Sequence, residues 1–218
     1  MFDPKELDNL LETVGNRMSP KRFAHTRAVA DMAVRMADLY CPEEADKLYI
    51  AGLLHDLTKE LTAEQQFELC EELGVPYDPF RDALMPKTLH AKTAAALIGR
   101  DFPEYADPVI VSAVRWHTTG HEKMTITERI LYLADYIDET RKFEDCVILR
   151  EMFWGADPLS MDPEQRYSHL RKVMIRSFDM TIRSLLEDQI PISPDTIAAR
   201  NDLLFEREEY EKRKNQNA

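Results

Sequence analysis

Glycine is scarce in this chain, 6 of 218 residues, about half the ordinary usage. With Ala, Leu, Glu, Lys, Arg and Met plentiful instead, the composition favours helix, and no segment reads as a sheet. The expected fold class is all-α. Cysteine is equally sparse. Cys41, Cys70 and Cys146 are odd in number, widely separated and free of any CxxC spacing, which argues against a disulfide framework or a cysteine zinc site and suits a reducing cytoplasm. No apolar run approaches the ~20 residues that a bilayer span requires. The opening MFDPKELDNL also lacks the basic segment and apolar stretch of a secretory leader. A cytoplasmic protein with no membrane partner is expected. Excess positive charge is missing too: 28 basic residues face 40 acidic ones, a net charge of −12. Such a surface repels a polyanionic duplex, so a nucleic-acid polymer is not an expected partner. A small phosphorylated molecule remains compatible, because local cations and a metal outweigh a distant screened field.

Helix punctuation is abundant. Ser19-Pro20, Asp107-Pro108, Asp162-Pro163 and Ser193-Pro194 each put an N-cap residue before a proline at the first helical position, where the missing N–H does no harm. Thr62 to Gln65 and Thr125 to Glu128 have capping-box spacing, and Gly74 and Gly120 stand where helix C-termini are expected. Helices are predicted at about 4–15, 20–40, 43–56, 63–73, 89–100, 108–118, 126–140, 163–189 and 194–212. The stretch 75–88, with three prolines, is the longest predicted connection and a candidate lid or wall over a site. The charged tail from Glu206 is expected to fray into solvent.

Against that background, the GLLHDLTKE segment needs explanation. Asp56 follows His55 at the end of an apolar helix, beside Leu53, Leu54 and Leu57. A carboxylate buried there costs several kcal/mol, roughly, unless a hydrogen-bonding partner or a metal ion compensates it. Imidazole nitrogen and carboxylate oxygen together suit Zn, Mn, Fe or Co. Two further residues fit the same description. His25 shares a helix face with Val29, Met32 and Met36, so it points inward; taken alone, it reads as a core histidine bonded to a carbonyl. Asp135 lies mid-helix in ILYLADYID among Ile130, Leu133, Ala134 and Ile137, where capping cannot explain it. His25, His55, Asp56 and Asp135 together supply two nitrogens and at least two oxygens from three helices. Neighbours on a helix diverge by ~100°, so His55 and Asp56 can share an ion only near a helix end, expected at Thr58 to Glu60.

The H…HD…D pattern resembles the HD-domain metal-dependent phosphohydrolases. HDLTK at 55–59, LH at 89–90, HTTG at 117–120 and ADYIDETR at 134–141 are similar to the YqeK-type members, the symmetrical bis(5′-nucleosyl)-tetraphosphatases. The matches run from Arg22 to Arg141, with PDT at 194–196 and Asn201 also similar. The resemblance implies an all-helical HD-domain bundle holding iron or a related divalent or trivalent transition metal (Mn, Co or Zn) and hydrolysing diadenosine tetraphosphate to two ADP. It implies His25, His55, Asp56 and Asp135 as metal ligands and Asp56 and Lys59 as catalytic residues. It implies His25, Lys59, His90, His117, Thr118 and Arg141 as substrate contacts. Asp138 and Glu139 depart from the family, which often has Glu and Pro there; neither is an expected ligand. One HD-type domain over 1–218 is expected, with the metal site within about 20–141 and C-terminal helices at about 163–212.

The residues themselves leave alternatives open. Lys59 lies one turn beyond Asp56 and suits a phosphate, or it is a solvated lysine paired with Glu60 or Glu64. His90 and His117 are core histidines, substrate contacts or, with Asp56 bridging, the site of a second metal. Arg141 is six residues past Asp135, ~240° around an unbroken helix, and reaches the site only if the helix ends near 139–140. His121 and His169 read as surface histidines. Met174, Phe178, Ile182 and Leu185 serve the core or a homodimer interface, the core being preferred. The rival functions are another HD activity, a deoxynucleotide phosphatase or guanosine alarmone hydrolase, or a non-catalytic nucleotide-binding sensor.

Overall fold

In a computed structural model, which describes residues 3–216, all regular structure among the described residues is helical, as expected. Met1, Phe2, Asn217 and Ala218, which belong to the chain ends considered above, lie outside the described residues. The helices are α1 (Pro4–Gly15), α2 (Pro20–Tyr40), α3 (Ala45–Leu54), α4 (Ala63–Leu73), α5 (Pro79–Leu84), α6 (Pro86–Asp101), α7 (Pro108–Trp116), α8 (Ile126–Ile137), α9 (Glu144–Trp154), α10 (Pro163–Glu187) and α11 (Pro194–Gln216).

The boundaries follow local chemistry. Ser19 Oγ accepts from Arg22 N and Asp107 accepts from Val109 N. Thr62, Thr125 and Asp162 form reciprocal capping boxes with Gln65, Glu128 and Gln165. Gly74 ends α4 in the left-handed region. Two helices lie outside the predicted set. The 75–88 stretch is not an open connection: Asp78 accepts from Phe80 N and Arg81 N and starts α5, after which α6 begins at Pro86. The other is α9, whose N-cap, Phe143, offers no side-chain acceptor. The tail does not fray at Glu206 either, since α11 continues to Gln216.

Helix α2 runs against α3 and α8, while α7 packs on α3, α6 and α8, so the chain's apolar faces meet around α2, α3 and α8. Val29, Met32 and Met36 are buried there with Ile130, Leu133, Ala134 and Ile137. On α10, Met174 and Phe178 enter the core, Phe178 stacking on Tyr132 with ring centroids 4.5 Å apart; Ile182 and Leu185 are half-buried. Where α2 and α3 cross, a Cβ on Gly52 would stand 2.5 Å from Ala30 Cα. Only glycine permits that approach, and it sets the position of His55 one turn later. Cys41, Cys70 and Cys146 are buried and unpaired. No helix of the described residues is long and apolar enough to cross a membrane.

Candidate metal centre

Three elements bring the buried polar residues together. Helix α3 stops at Leu54, slightly before the expected Thr58, and His55 to Glu60 form a turn. Ending there lets His55 and Asp56 face one point instead of diverging. The turn is held by Thr58 Oγ1, which donates to the His90 carbonyl at 3.0 Å, and by Gln66 Nε2, which donates to Thr58 O at 2.5 Å. Thr93 Oγ1 then donates to Gln66 Oε1 at 2.7 Å, tying the turn to α4 and α6.

His25 Nε2 lies 2.9 Å from Asp135 Oδ1 and 3.8 Å from Asp56 Oδ2. His55 Nε2 lies 3.4 Å from Asp56 Oδ2 and 3.8 Å from Asp135 Oδ1. The four predicted ligands therefore meet within one buried cluster. Ligand atoms of His25, His55 and Asp135 lie within 4.8 Å of one another, and those of His55, Asp56 and His117 form a second such set. The histidines are oriented from behind. His55 Nδ1 donates to Gly52 O at 2.6 Å and His117 Nδ1 donates to Val114 O at 2.7 Å, so each ring turns its Nε2 toward the cluster. His25 Nδ1 is flanked by Thr140 Oγ1 at 3.1 Å and Asp138 Oδ2 at 3.3 Å. Such outer partners on the far nitrogen are the usual arrangement of metal-ligating histidine.

His55 Nε2 and Asp56 Oδ1 are buried without a hydrogen-bond partner, although unsatisfied buried polar atoms are costly. A cation would satisfy both, and the donor set of imidazole and carboxylate suits a transition metal. Electrostatics agree. Burial alone lowers the His55 pKa, but Asp56 and Asp135 outweigh it and push the value up to about 10. Burial alone raises Asp56 and Asp135, yet His55 holds the first, and Arg141 and His25 hold the second, well below the usual carboxylate range. A proton on His55 balances part of the carboxylate charge; a divalent ion would do the same while releasing that proton.

The predicted substrate contacts form one wall of the cluster. His90 Nε2 lies 2.9 Å from His117 Nε2, 3.2 Å from Lys59 Nζ and 3.2 Å from Thr118 Oγ1. Its Nε2 is also 3.3 Å from Asp56 Oδ1. His55 and His117 have a carbonyl behind Nδ1 and His25 has the Thr140 hydroxyl and the Asp138 carboxylate, whereas His90 Nδ1 stands 3.5 Å from Lys59 Nζ. Burial lowers the pKa of Lys59, His90 and His117, the carboxylates offsetting only part of it. Lys59 is thus no solvated surface lysine. Arg141 also arrives, because α8 ends at Ile137 and the chain turns back. Its NH2 donates to Asp135 Oδ1 at 2.5 Å and its Nε to Asp135 O at 2.9 Å.

Sequence reasoning passed over three participants. Asp138 is fully buried beside His25, and its Oδ1 accepts from Thr140 N at 2.8 Å. Arg22 NH1 donates to Asp56 Oδ2 at 2.6 Å. Arg150, on the unpredicted α9, donates to Ile137 O and Arg141 O at 2.8 Å each and also to Asp138 O, which clamps the turn carrying Arg141. The departure at Asp138 was the available signal, though no spacing rule marks an arginine that arrives from another helix. His121 and His169 are half-buried, not surface, residues: His121 Nε2 pairs with Glu128 Oε2 at 3.0 Å and His169 Nε2 with Phe153 O at 3.0 Å.

Two cavities adjoin the cluster. One, of about 570 Å³, opens beside His25 and is lined by Lys21, Arg22, Arg141 and Phe143. The other, of about 140 Å³, lies beyond Thr118 and has apolar walls that include Met85, Tyr136, Leu185 and Pro191.

The HD domain model matches residues 22–140, a span that contains His25, His55, Asp56, Lys59, His90, His117 and Asp135 and ends one residue before Arg141. The chain is 31% identical to the symmetrical bis(5′-nucleosyl)-tetraphosphatase of Halalkalibacterium halodurans, over 90% of this chain and 96% of that protein. It is 27% identical to the Bacillus subtilis protein of the same name, over 89% and 95%. It is also similar to a solved structure from Clostridium acetobutylicum described as a predicted HD superfamily hydrolase involved in NAD metabolism. That similarity has a TM-score of 0.78 at 30% identity and covers 94% of this chain and 99% of that one.

Proposed function

The chain belongs to the HD domain family, and on that premise we propose that it is a metal-dependent symmetrical bis(5′-nucleosyl)-tetraphosphatase. It cleaves diadenosine tetraphosphate with one water molecule into two molecules of ADP. The observation that carries this reading is the buried His25, His55, Asp56 and Asp135 cluster, with unpartnered atoms on His55 and Asp56, ringed by the cations Arg22, Lys59 and Arg141. The names of the Halalkalibacterium and Bacillus relatives support the substrate.

His25, His55, Asp56 and Asp135 are the proposed metal ligands, and iron is the preferred ion, with Mn, Co or Zn as alternatives. When bound, such an ion supplies Lewis-acid stabilisation of phosphoryl oxygens and a water acidic enough to react near neutral pH. Asp56 would orient the attacking water and take its proton. Attack falls on a phosphorus beside the central bridge; the bridging P–O bond breaks, and the bridging oxygen leaves with ADP. Lys59 and Arg141 balance the charge that grows on the phosphates. His90, His117 and Thr118 contact the retained diphosphate, and the apolar cavity behind Thr118 takes its base.

A second ion is the alternative role for His117, favoured by the His55, Asp56 and His117 grouping. His90 suits substrate better than metal, since its Nδ1 faces the Lys59 ammonium where the other three have an oxygen. The three buried, unpaired cysteines support a cytoplasmic location.

Ion-exchange analysis of products tests the reading. With metal-loaded protein, ADP is the expected sole product from diadenosine tetraphosphate. AMP plus ATP would indicate a different hydrolase, whereas tight ADP binding without turnover under Fe, Mn, Co or Zn would indicate a sensor.

A further inference from the structure

Symmetrical cleavage creates two nucleoside diphosphates, and a cleft behind Thr118 accommodates only one of them. The other half must extend to the opposite side of the cluster, past His25. There the larger cavity opens, about 570 Å³, within the range of small-molecule sites. Its inner end is formed by His25, Arg22 and Arg141. Arg22 and Arg141 already hold Asp56 and Asp135, and Arg22 Nε is buried without a hydrogen-bond partner. Lys21 adds a third cation to the lining. The lining's carboxylate, Glu60, accepts from both the backbone N and the Oγ of Ser19, so both of its oxygens are engaged.

At the mouth stands Phe143, 71% exposed. A phenyl ring held so openly gains little from the core. Its backbone is fixed, because Phe143 is the N-cap of α9 and its carbonyl accepts from Val147 N at 3.0 Å. Cations at the inner end and a positioned aromatic ring at the outer end match a nucleoside diphosphate, phosphates inward and base outward. Aromatic rings stack on bases regardless of their identity.

We infer that this cavity is the subsite for the departing nucleoside diphosphate half, with Lys21 and Arg22 receiving its phosphates and Phe143 serving as the platform for its base. The inference rests on the proposed tetraphosphatase activity, and it makes Phe143 the residue that distinguishes a dinucleotide from a mononucleoside polyphosphate.

The test compares Phe143→Ala and Phe143→Tyr with the unaltered metal-loaded protein. Two quantities are read: kcat/KM for diadenosine tetraphosphate relative to adenosine 5′-tetraphosphate, and calorimetric affinity for a methylene-bridged diadenosine tetraphosphate analogue relative to ADP. Phe143→Ala should lower the preference for the dinucleotide and weaken the analogue about tenfold, the loss of one stacked base. ADP affinity should change less than twofold, and Phe143→Tyr should restore the preference. An undiminished preference in Phe143→Ala, or an equal loss for ADP and the analogue, overturns the inference. An unaltered protein that leaves diadenosine tetraphosphate intact overturns instead the activity on which it rests.

Discussion

Replacing Gly52 by alanine should damage the candidate site without touching any of its residues. The new Cβ would stand 2.5 Å from Ala30 Cα and 2.9 Å from both Ala30 N and Cβ. Reaching ordinary contact at about 3.4 Å requires α3 to withdraw from α2 by about 0.9 Å. Both partners are backbone or Cβ, so no side chain can swing away to absorb the strain. Overpacking of this kind costs about 1–3 kcal/mol, which corresponds to a fall in Tm of roughly 2–12 °C for a chain of this size. The functional effect should be larger than the loss of stability suggests. His55 and Asp56 move with α3 while His25 moves with α2, and a displacement near 1 Å at a catalytic constellation costs on the order of 100-fold in rate. Gly99→Ala is the control, because nothing lies within 4 Å of that Cβ; it should be neutral or stabilising by up to ~1 kcal/mol. Thermal unfolding, metal content and turnover of both variants provide the assay. A Gly52→Ala protein with unaltered Tm, metal and rate would refute the claim that this crossing sets the site.

Other outcomes follow from individual side chains. Asp56→Ala should abolish turnover and reduce bound metal measured by elemental analysis; full retention of both would remove Asp56 from the centre. Asp138→Asn should leave the fold intact but weaken metal affinity about 10–100-fold, the usual effect of losing a histidine's outer partner, and unchanged affinity in a chelator competition would contradict that role. Glu128 gives a pH dependence independent of the metal. Burial raises its pKa, but bonds from Ser112, Thr125 N and His121 outweigh burial and hold it below the ordinary 4.5. Its stabilising contribution is therefore fully present above pH ~4.5 and is lost as pH falls through the lowered folded-state value. The stability gap between the unaltered protein and Glu128→Gln should accordingly shrink in acid, and a gap that widened there would overturn the assignment.

Local rules made much of the architecture readable. Proline after Ser or Asp, and capping boxes at Thr62 and Thr125, mark helix starts because they answer to hydrogen bonds within one turn of chain. They fail for α9, where Phe143 supplies no side-chain acceptor; at the six-residue α5 the rule holds, since Asp78-Pro79 caps and starts it, but a helix so short among prolines reads as part of a connection. The candidate site was legible for a different reason: a carboxylate in an apolar helix conflicts with its surroundings, and Asp56 and Asp135 show that conflict in sequence. Asp138 shows none in sequence, where the predicted helix runs on to 140; only the end of α8 at Ile137 turns its carboxylate toward His25.

By itself, then, the sequence determined the helical class and most helix starts and offered His25, His55, Asp56 and Asp135 as candidates, because caps and the two buried carboxylates declare themselves through near neighbours. Tertiary structure decided which groups stand behind those residues. Arg22 on Asp56, Asp138 behind His25 and Arg150 on the turn that returns Arg141 join different elements. Their partners are fixed by the crossing of packed helices, a distance no local spacing encodes.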